Sequence, residues 1–241
     1  MPKVQNTVAT MEYAVSERTP LDYLLIAREL STSPSRMPIK YLAIGSNVHK
    51  LELEMRENLV PRDRRRRQSI TFNVASNGSD LPDILARIIQ RYVSPHQGSP
   101  TEHGDEDQDA FKSKSNSDAD FVESIGGVDL AHGTEFQQKI WRYLISECPG
   151  TECRSYQDLS MKLYGDTVHT RAIGRACACN RIALLVPCHR VVRRMPASTN
   201  VKTKSKDDTD TYRWNRWRKE KLLDWELGGG LMTLAAHRMA A

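Results

Sequence analysis

SYQDLSMKLYGDTVHTRAIGRACACN, Ser155 to Asn180, holds two short helical patterns on either side of a glycine turn. Ser155 and Asp158 stand in capping-box spacing, which opens the first helix. Gly165 closes it, because glycine takes the left-handed backbone of a helix end at little steric cost. After Asp166 and Thr167, His169 to Cys179 form the second helix, in which Ala172, Gly174, Ala176 and Ala178 are small. Two short helices joined in this way predict a helix-turn-helix. The small side chains suit either close helix packing or close approach to a nucleic-acid groove, and Arg171 and Arg175 favour the groove.

Upstream, Gly133 to Ser146 places Phe136, Ile140, Trp141, Leu144 and Ile145 on one helical face, with Thr134 as its cap. Further back, Met11–Val15, Asp22–Arg28 and Ile39–Ile44 read as strands between turn-rich pieces. Ser46 is placed to cap a helix through Leu59, and Leu81–Val93 has helical apolar spacing. The fold class expected is α+β: a small N-terminal α/β module with a mixed or antiparallel sheet, then a mainly helical C-terminal domain containing the helix-turn-helix. The expected boundaries are a tail at 1–10, the module at 11–93 and a flexible polar linker at 94–126. The second domain follows at 127–230, with an inserted loop at 195–211 and a tail at 231–241.

The 241 residues are enough to bury a real core, while a mean hydropathy of -0.56 indicates compact regions diluted by polar segments. Charge is unevenly spread. Gly133–Glu226 carries 18 Lys and Arg against 11 Asp and Glu, whereas the remainder carries 17 against 19. The basic surplus of the second region favours a polyanionic partner through phosphate contacts and counterion release. Arg62–Arg67, with five arginines and one aspartate, reads as a nuclear import signal, a nucleic-acid contact or an exposed charged loop. A nuclear location is the expectation drawn from it. No apolar run approaches the roughly 18 residues of a membrane span and no signal-peptide pattern opens the chain, so an intracellular protein without a membrane partner is expected. The five cysteines are odd in number and suit a reducing compartment. Cys177 and Cys179 lack a second pair to complete a tetrahedral site, so neither metal nor cofactor is expected.

Cys188 and His189 end the apolar run Ile182–Pro187. The run reads as a strand that Pro187 stops, turning the next side chains toward a pocket. A thiol with a pKa near ~8.5 needs a base or a positive field to become a thiolate. His189 can supply the base if a carboxylate orients its other ring nitrogen. These residues define a candidate nucleophile; peptidases, acyltransferases and redox proteins all use such a pair.

Pro187-Cys188-His189-Arg190-Val191 resembles the active-site signature of the O6-alkylguanine-DNA alkyltransferases, or methylated-DNA–protein-cysteine methyltransferases. The likeness extends in order through Gly133–Trp141, Ser155–Leu159, Arg171–Ala176, Asn180 and Tyr212–Glu226. It implies irreversible, single-turnover transfer of an alkyl group from guanine O6, and from O4-methylthymine, to Cys188. His189 would deprotonate the thiol through a water, Glu226 would hold His189, and Asn180 would brace the active-site turn. The lesion lies in a stacked duplex and must be flipped out at a cost of a few kcal/mol. By the same resemblance Arg171 replaces the flipped base, and Tyr156 helps turn the phosphate and donates a hydrogen bond to the base. Ala172 and Arg175 lie on a recognition helix in the minor groove, where bulk would obstruct approach. Tyr212, Val191, Arg213 and Lys219 border the alkylguanine pocket. The implied partner is duplex DNA bound by a monomer. Two features depart from the family: the segment between Val192 and Tyr212 is long, and Arg213-Trp214 stands where many members carry a small residue and glycines. A non-catalytic lesion-binding relative and a cysteine hydrolase are the rival readings. The first lacks the nucleophilic cysteine, and the second needs an oxyanion site that no motif here supplies.

Overall fold

The computed structural model describes residues 8–30, 37–60, 69–93, 117–150, 153–193 and 212–227. The basic cluster Arg62–Arg67, most of the expected linker, the expected inserted loop, the C-terminal tail and the first seven residues lie outside the described residues. Strands β1 (Val8–Val15), β2 (Tyr23–Glu29) and β3 (Ile39–Gly45) pair antiparallel in turn. A fourth strand, β4 (Ser69–Val74), lies parallel to β1 and makes the sheet mixed, in the order β3-β2-β1-β4. Sequence patterning misses β4 because it is a short edge strand. Only Ile70 and Phe72 are half-buried, and the other four residues are exposed. Helix α1 (Val48–Leu59) packs Leu51 and Met55 on β3 and β2, and its cap is Asn47 rather than Ser46. The Asn47 side chain accepts from the Lys50 N–H at 2.9 Å. Helix α2 (Leu81–Tyr92) buries Leu81, Ile84, Leu85 and Ile88 against β1 and β2.

The last part of the expected linker is ordered as helix α3 (Asp118–Ser124), which opens with a reciprocal capping box between Ser117 and Asp120. Its Phe121 and Val122, with Ile125 beyond it, are buried, so these residues belong to the core and correct the reading of 94–126 as polar linker throughout. The apolar cluster is only a few residues long, and the polar run before it masks its periodicity.

Helix α4 (Glu135–Glu147) starts on the Thr134–Gln137 capping box, and its buried Trp141 donates from Nε1 to the Ala176 carbonyl at 3.1 Å. Strand β5 (Arg154–Ser155) leads straight into α5 (Tyr156–Tyr164), capped by Ser155 and ended by Gly165 at φ 77°. Helix α6 (Thr170–Cys179) packs on α5 and α4. After a single 3₁₀ turn at Cys188–Arg190, β6 (Val191–Val192) pairs parallel with β5. Helix α7 (Arg216–Glu226) closes the described chain.

Ile182–Pro187 is not the expected strand. Only Ile182 bridges a neighbour, Leu42 of β3, and the chain then makes consecutive turns, with Leu184 at φ 62°. Every residue of the run is buried, and Pro187 leads into the 3₁₀ turn, so the apolar composition reflects burial on all sides rather than a ladder. The Leu42 bridge carries two backbone hydrogen bonds, from Leu42 N–H to the Arg181 carbonyl and from Ala183 N–H to the Leu42 carbonyl. One buried cluster therefore runs from Tyr13 of the sheet to Leu222 of α7. Among the described residues no helix is long and apolar enough to cross a membrane.

Candidate active site

Cys188 is 3% exposed and opens the 3₁₀ turn. In a strand, Cys188 and His189 would point to opposite faces; a 3₁₀ turn rotates successive side chains by about a third of a circle and removes that obstacle. The turn is held by Asn180, which is fully buried. Its side-chain amide donates to the Ile182 and Val186 carbonyls at 3.1 Å each and to Cys188 Sγ at 3.3 Å, while its oxygen accepts from the Ile182 N–H at 2.9 Å. One side chain thus replaces the ladder that a strand would have formed and aims a donor at the sulfur.

Burial pushes the Cys188 thiol up from its ordinary value, and the Asn180 donor and the charge of Lys219 offset part of that rise. At rest the sulfur is therefore protonated and needs a base. Lys219 on α7 is buried and donates to the Val191 carbonyl at 2.7 Å, placing its charge beside the turn. His189 is fully buried, and its Nε2 lies 3.1 Å from both oxygens of Glu226. A carboxylate only accepts, so Nε2 carries the hydrogen and Nδ1 is the basic nitrogen. Nδ1 has no hydrogen-bond partner among the described residues. Burial raises the Glu226 carboxyl, but His189 and Arg190 outweigh it and hold the group down at about 2.

Arg190 went unnoticed in the sequence beyond its place in the motif. It is 2% exposed and donates from Nε and Nη2 to Glu226, and from Nη1 to Asp118 and the Cys148 carbonyl. The available signal was an arginine inside an otherwise apolar run, since a buried guanidinium requires carboxylate partners. Which carboxylates these are, 36 and 72 residues away, could not be read from the chain.

Of the other expected residues, Tyr212 lies beside His189 with ring centroids 6.3 Å apart, and its buried hydroxyl has no hydrogen-bond partner among the described residues. Burial, with Cys188 and Glu226 nearby, pushes that phenol well above its ordinary value, so it stays protonated. Tyr156 is half-buried at the start of α5, with Lys219 Nζ 5.9 Å from its ring centroid. Arg171, Ala172, Arg175 and Ala178 are exposed on α6, whereas Ala176 is buried against α4. The small residues therefore divide between the two uses left open by the sequence: Ala176 lets helices approach, and Ala172 and Ala178 leave an open outer face. Arg213, expected at the pocket, donates to the Asn58 side chain at the end of α1, and its charge also counters part of the rise in the Cys188 thiol. Among the described residues no group of three His, Cys, Asp or Glu side chains is placed to hold a metal.

The depressed Glu226 carboxyl carries a pH signature. The unfolded chain binds its proton near the ordinary value of 4.5, the folded one only near 2, so the contribution is complete above about pH 5 and is lost as pH falls toward 2. Denaturant unfolding from pH 7 to pH 2 should show wild type losing its stability advantage over Glu226→Gln across that window. A gap that stays constant to pH 2 would contradict the assignment.

The fold and site define a class: a mixed-sheet module joined to a helix-turn-helix region that carries a buried cysteine beside a histidine–glutamate pair. Residues 135–228 match the family model for the 6-O-methylguanine DNA methyltransferase DNA binding domain. A methylated-DNA–protein-cysteine methyltransferase of Lodderomyces elongisporus is 36% identical over 110 residues, 46% of this chain and 49% of that protein. One from Candida albicans is 38% identical over 99 residues, 41% and 48% of the two chains. The chain spans about half the length of these curated relatives. The solved O6-methylguanine-DNA methyltransferase of Pyrococcus kodakaraensis strain KOD1 superposes with a TM-score of 0.53 at 20% identity, over 90% of this chain and 98% of that one. That likeness concerns the fold and takes in the N-terminal sheet as well as the helical region. Over its C-terminal region the chain is therefore similar to the O6-methylguanine-DNA methyltransferases, and the similarity of fold extends to the N-terminal sheet.

Proposed function

We propose that this protein repairs alkylated DNA by moving the alkyl group of O6-methylguanine, and of O4-methylthymine, onto Cys188. The observation that carries the reading is the joint geometry of the buried turn: a thiol held by Asn180, next to a histidine whose only remaining basic nitrogen is set by Glu226. His189 takes the thiol proton through a bridging water. The thiolate attacks the methyl carbon in line, an S–C bond forms, the C–O6 bond breaks, and the electron pair passes to the guanine oxygen. Tyr156 donates to the departing base as it becomes anionic. A thioether offers no hydrolytic exit, so each molecule acts once.

The exposed α6 face of Arg171, Ala172 and Arg175 supports docking of a monomer in the minor groove, with Arg171 filling the gap left by the flipped nucleotide. Tyr212, Val191 and Lys219 then border the extruded base. The test is incubation with a duplex containing one O6-methylguanine, followed by peptide mass measurement. The Cys188 peptide is expected to gain one methyl group as the lesion disappears. Lesion binding without any gain would replace this reading with that of a lesion-binding protein.

A further inference from the structure

A chain of polar contacts crosses from the N-terminal sheet module to the nucleophile. It begins on α2, where the Arg91 guanidinium and the Tyr92 hydroxyl donate to Asp118 Oδ1 at 2.9 and 3.0 Å. Asp118 is the first residue of α3, and its other oxygen accepts from Arg190 Nη1. Arg190 donates to Glu226, and Glu226 accepts from His189, the neighbour of Cys188.

We infer that Asp118 is a positioning residue for the transfer reaction, acting through Arg190 and Glu226 on the basicity of His189. The inference rests on the proposed role of Cys188 as alkyl acceptor, and it gives the N-terminal module a part in the chemistry.

The physical reason is competition for one carboxylate. Glu226 is shared by His189 and Arg190, and each arginine N–H it accepts draws negative charge away from the histidine. Asp118 takes up the far side of the same guanidinium, fixing its plane and balancing its charge. Without the Asp118 charge, the full arginine charge falls on Glu226, His189 holds its proton less strongly, and the base facing the thiol is weaker. The groups around this pair are Cys188 and Arg190 on the 3₁₀ turn, Asp118 on α3, Arg91 and Tyr92 on α2, Arg218 and Lys219 on α7, and Tyr212. Burial raises the Asp118 carboxyl, but Arg190 and Arg91 bring it below its ordinary value, so it is charged at neutral pH.

The test uses the full chain with Asp118→Asn, nearly isosteric, and Arg91→Met, at a half-exposed position where methionine keeps an apolar side chain over the Phe121 ring. His189 is followed by NMR titration of its imidazole in the protein alone, and single-turnover methyl transfer is followed against pH. Asp118→Asn is expected to move the His189 titration to lower pH and to slow transfer about tenfold at neutral pH, a partial loss of the contribution a general base makes, with duplex affinity unchanged. Arg91→Met releases Asp118 to Arg190 and is expected to move the titration the opposite way. Asp118→Glu, which keeps the charge, should recover much of the rate. Titrations that match wild type in both Asp118→Asn and Arg91→Met, with only a lower melting temperature, would overturn the inference and leave a purely structural role. Absence of transfer by wild type would instead overturn the proposed function, and the NMR shifts would still decide the linkage.

Discussion

The Cys188→Ser protein is expected to bind a duplex containing O6-methylguanine as tightly as wild type and to remove no methyl group from it. Serine preserves the side chain's size in a site that is 3% exposed, so the turn and the exposed α6 face should survive. The chemistry does not survive, because an alcohol is far less acidic than a thiol, and His189 cannot generate a useful alkoxide near neutral pH. Sulfur is also polarizable and suited to attack on a saturated carbon. Peptide masses after prolonged incubation, with binding measured on the same samples, give the answer. Retained repair by this variant would show that another residue is the acceptor, and the whole reading of the buried turn would fall with it.

The second large effect is expected from Asn180→Ala. Asn180 makes four hydrogen bonds in the core, and its removal leaves the Ile182 N–H without its acceptor and takes a donor from the Ile182 and Val186 carbonyls. A buried polar group left unpaired costs about 1–3 kcal/mol, and the small cavity adds to this, so a loss of about 3 kcal/mol is expected. For a chain of this length that lowers Tm by about 10 °C. The same change removes the donor aimed at Sγ, so the thiol pKa should rise further and alkylation by a small reagent such as iodoacetamide should slow at fixed pH. Thermal melts and thiol alkylation rates measure the two effects separately. A melt unchanged from wild type would mean that the turn is held by its backbone alone; an unchanged alkylation rate would mean that the amide does not stabilise the thiolate.

Local features of the site were legible in the chain. The Thr134 cap, the Ser155 capping box, the glycine stop at Gly165 and the boundaries of α5 and α6 depend on residues within four positions of one another. Asn180 and Glu226 were named only because the order of motifs resembles a family; neither polarity nor spacing singles them out. The three early strands are legible as short β-rich pieces between turn residues, whereas β4 was missed because half-burial at an edge leaves too weak a pattern.

What the sequence determined by itself is the set of short-range decisions: where helices start and stop, which face of α4 is apolar, and that a cysteine and histidine follow a helix-breaking proline. The tertiary structure alone decided that Ile182–Pro187 is a buried turn rather than a strand, because the competing hydrogen bonds come from Asn180 and from Leu42 of the sheet. It alone decided that Arg190 stands between Asp118 and Glu226, and that Arg213 reaches Asn58 across 155 residues of chain. A capping bond closes a loop of a few residues and is favoured wherever it can form. A buried ion pair between distant residues forms only after the surrounding apolar groups have closed the loops and lowered the local dielectric, so its partners are chosen by the packed core and not by their neighbours in sequence.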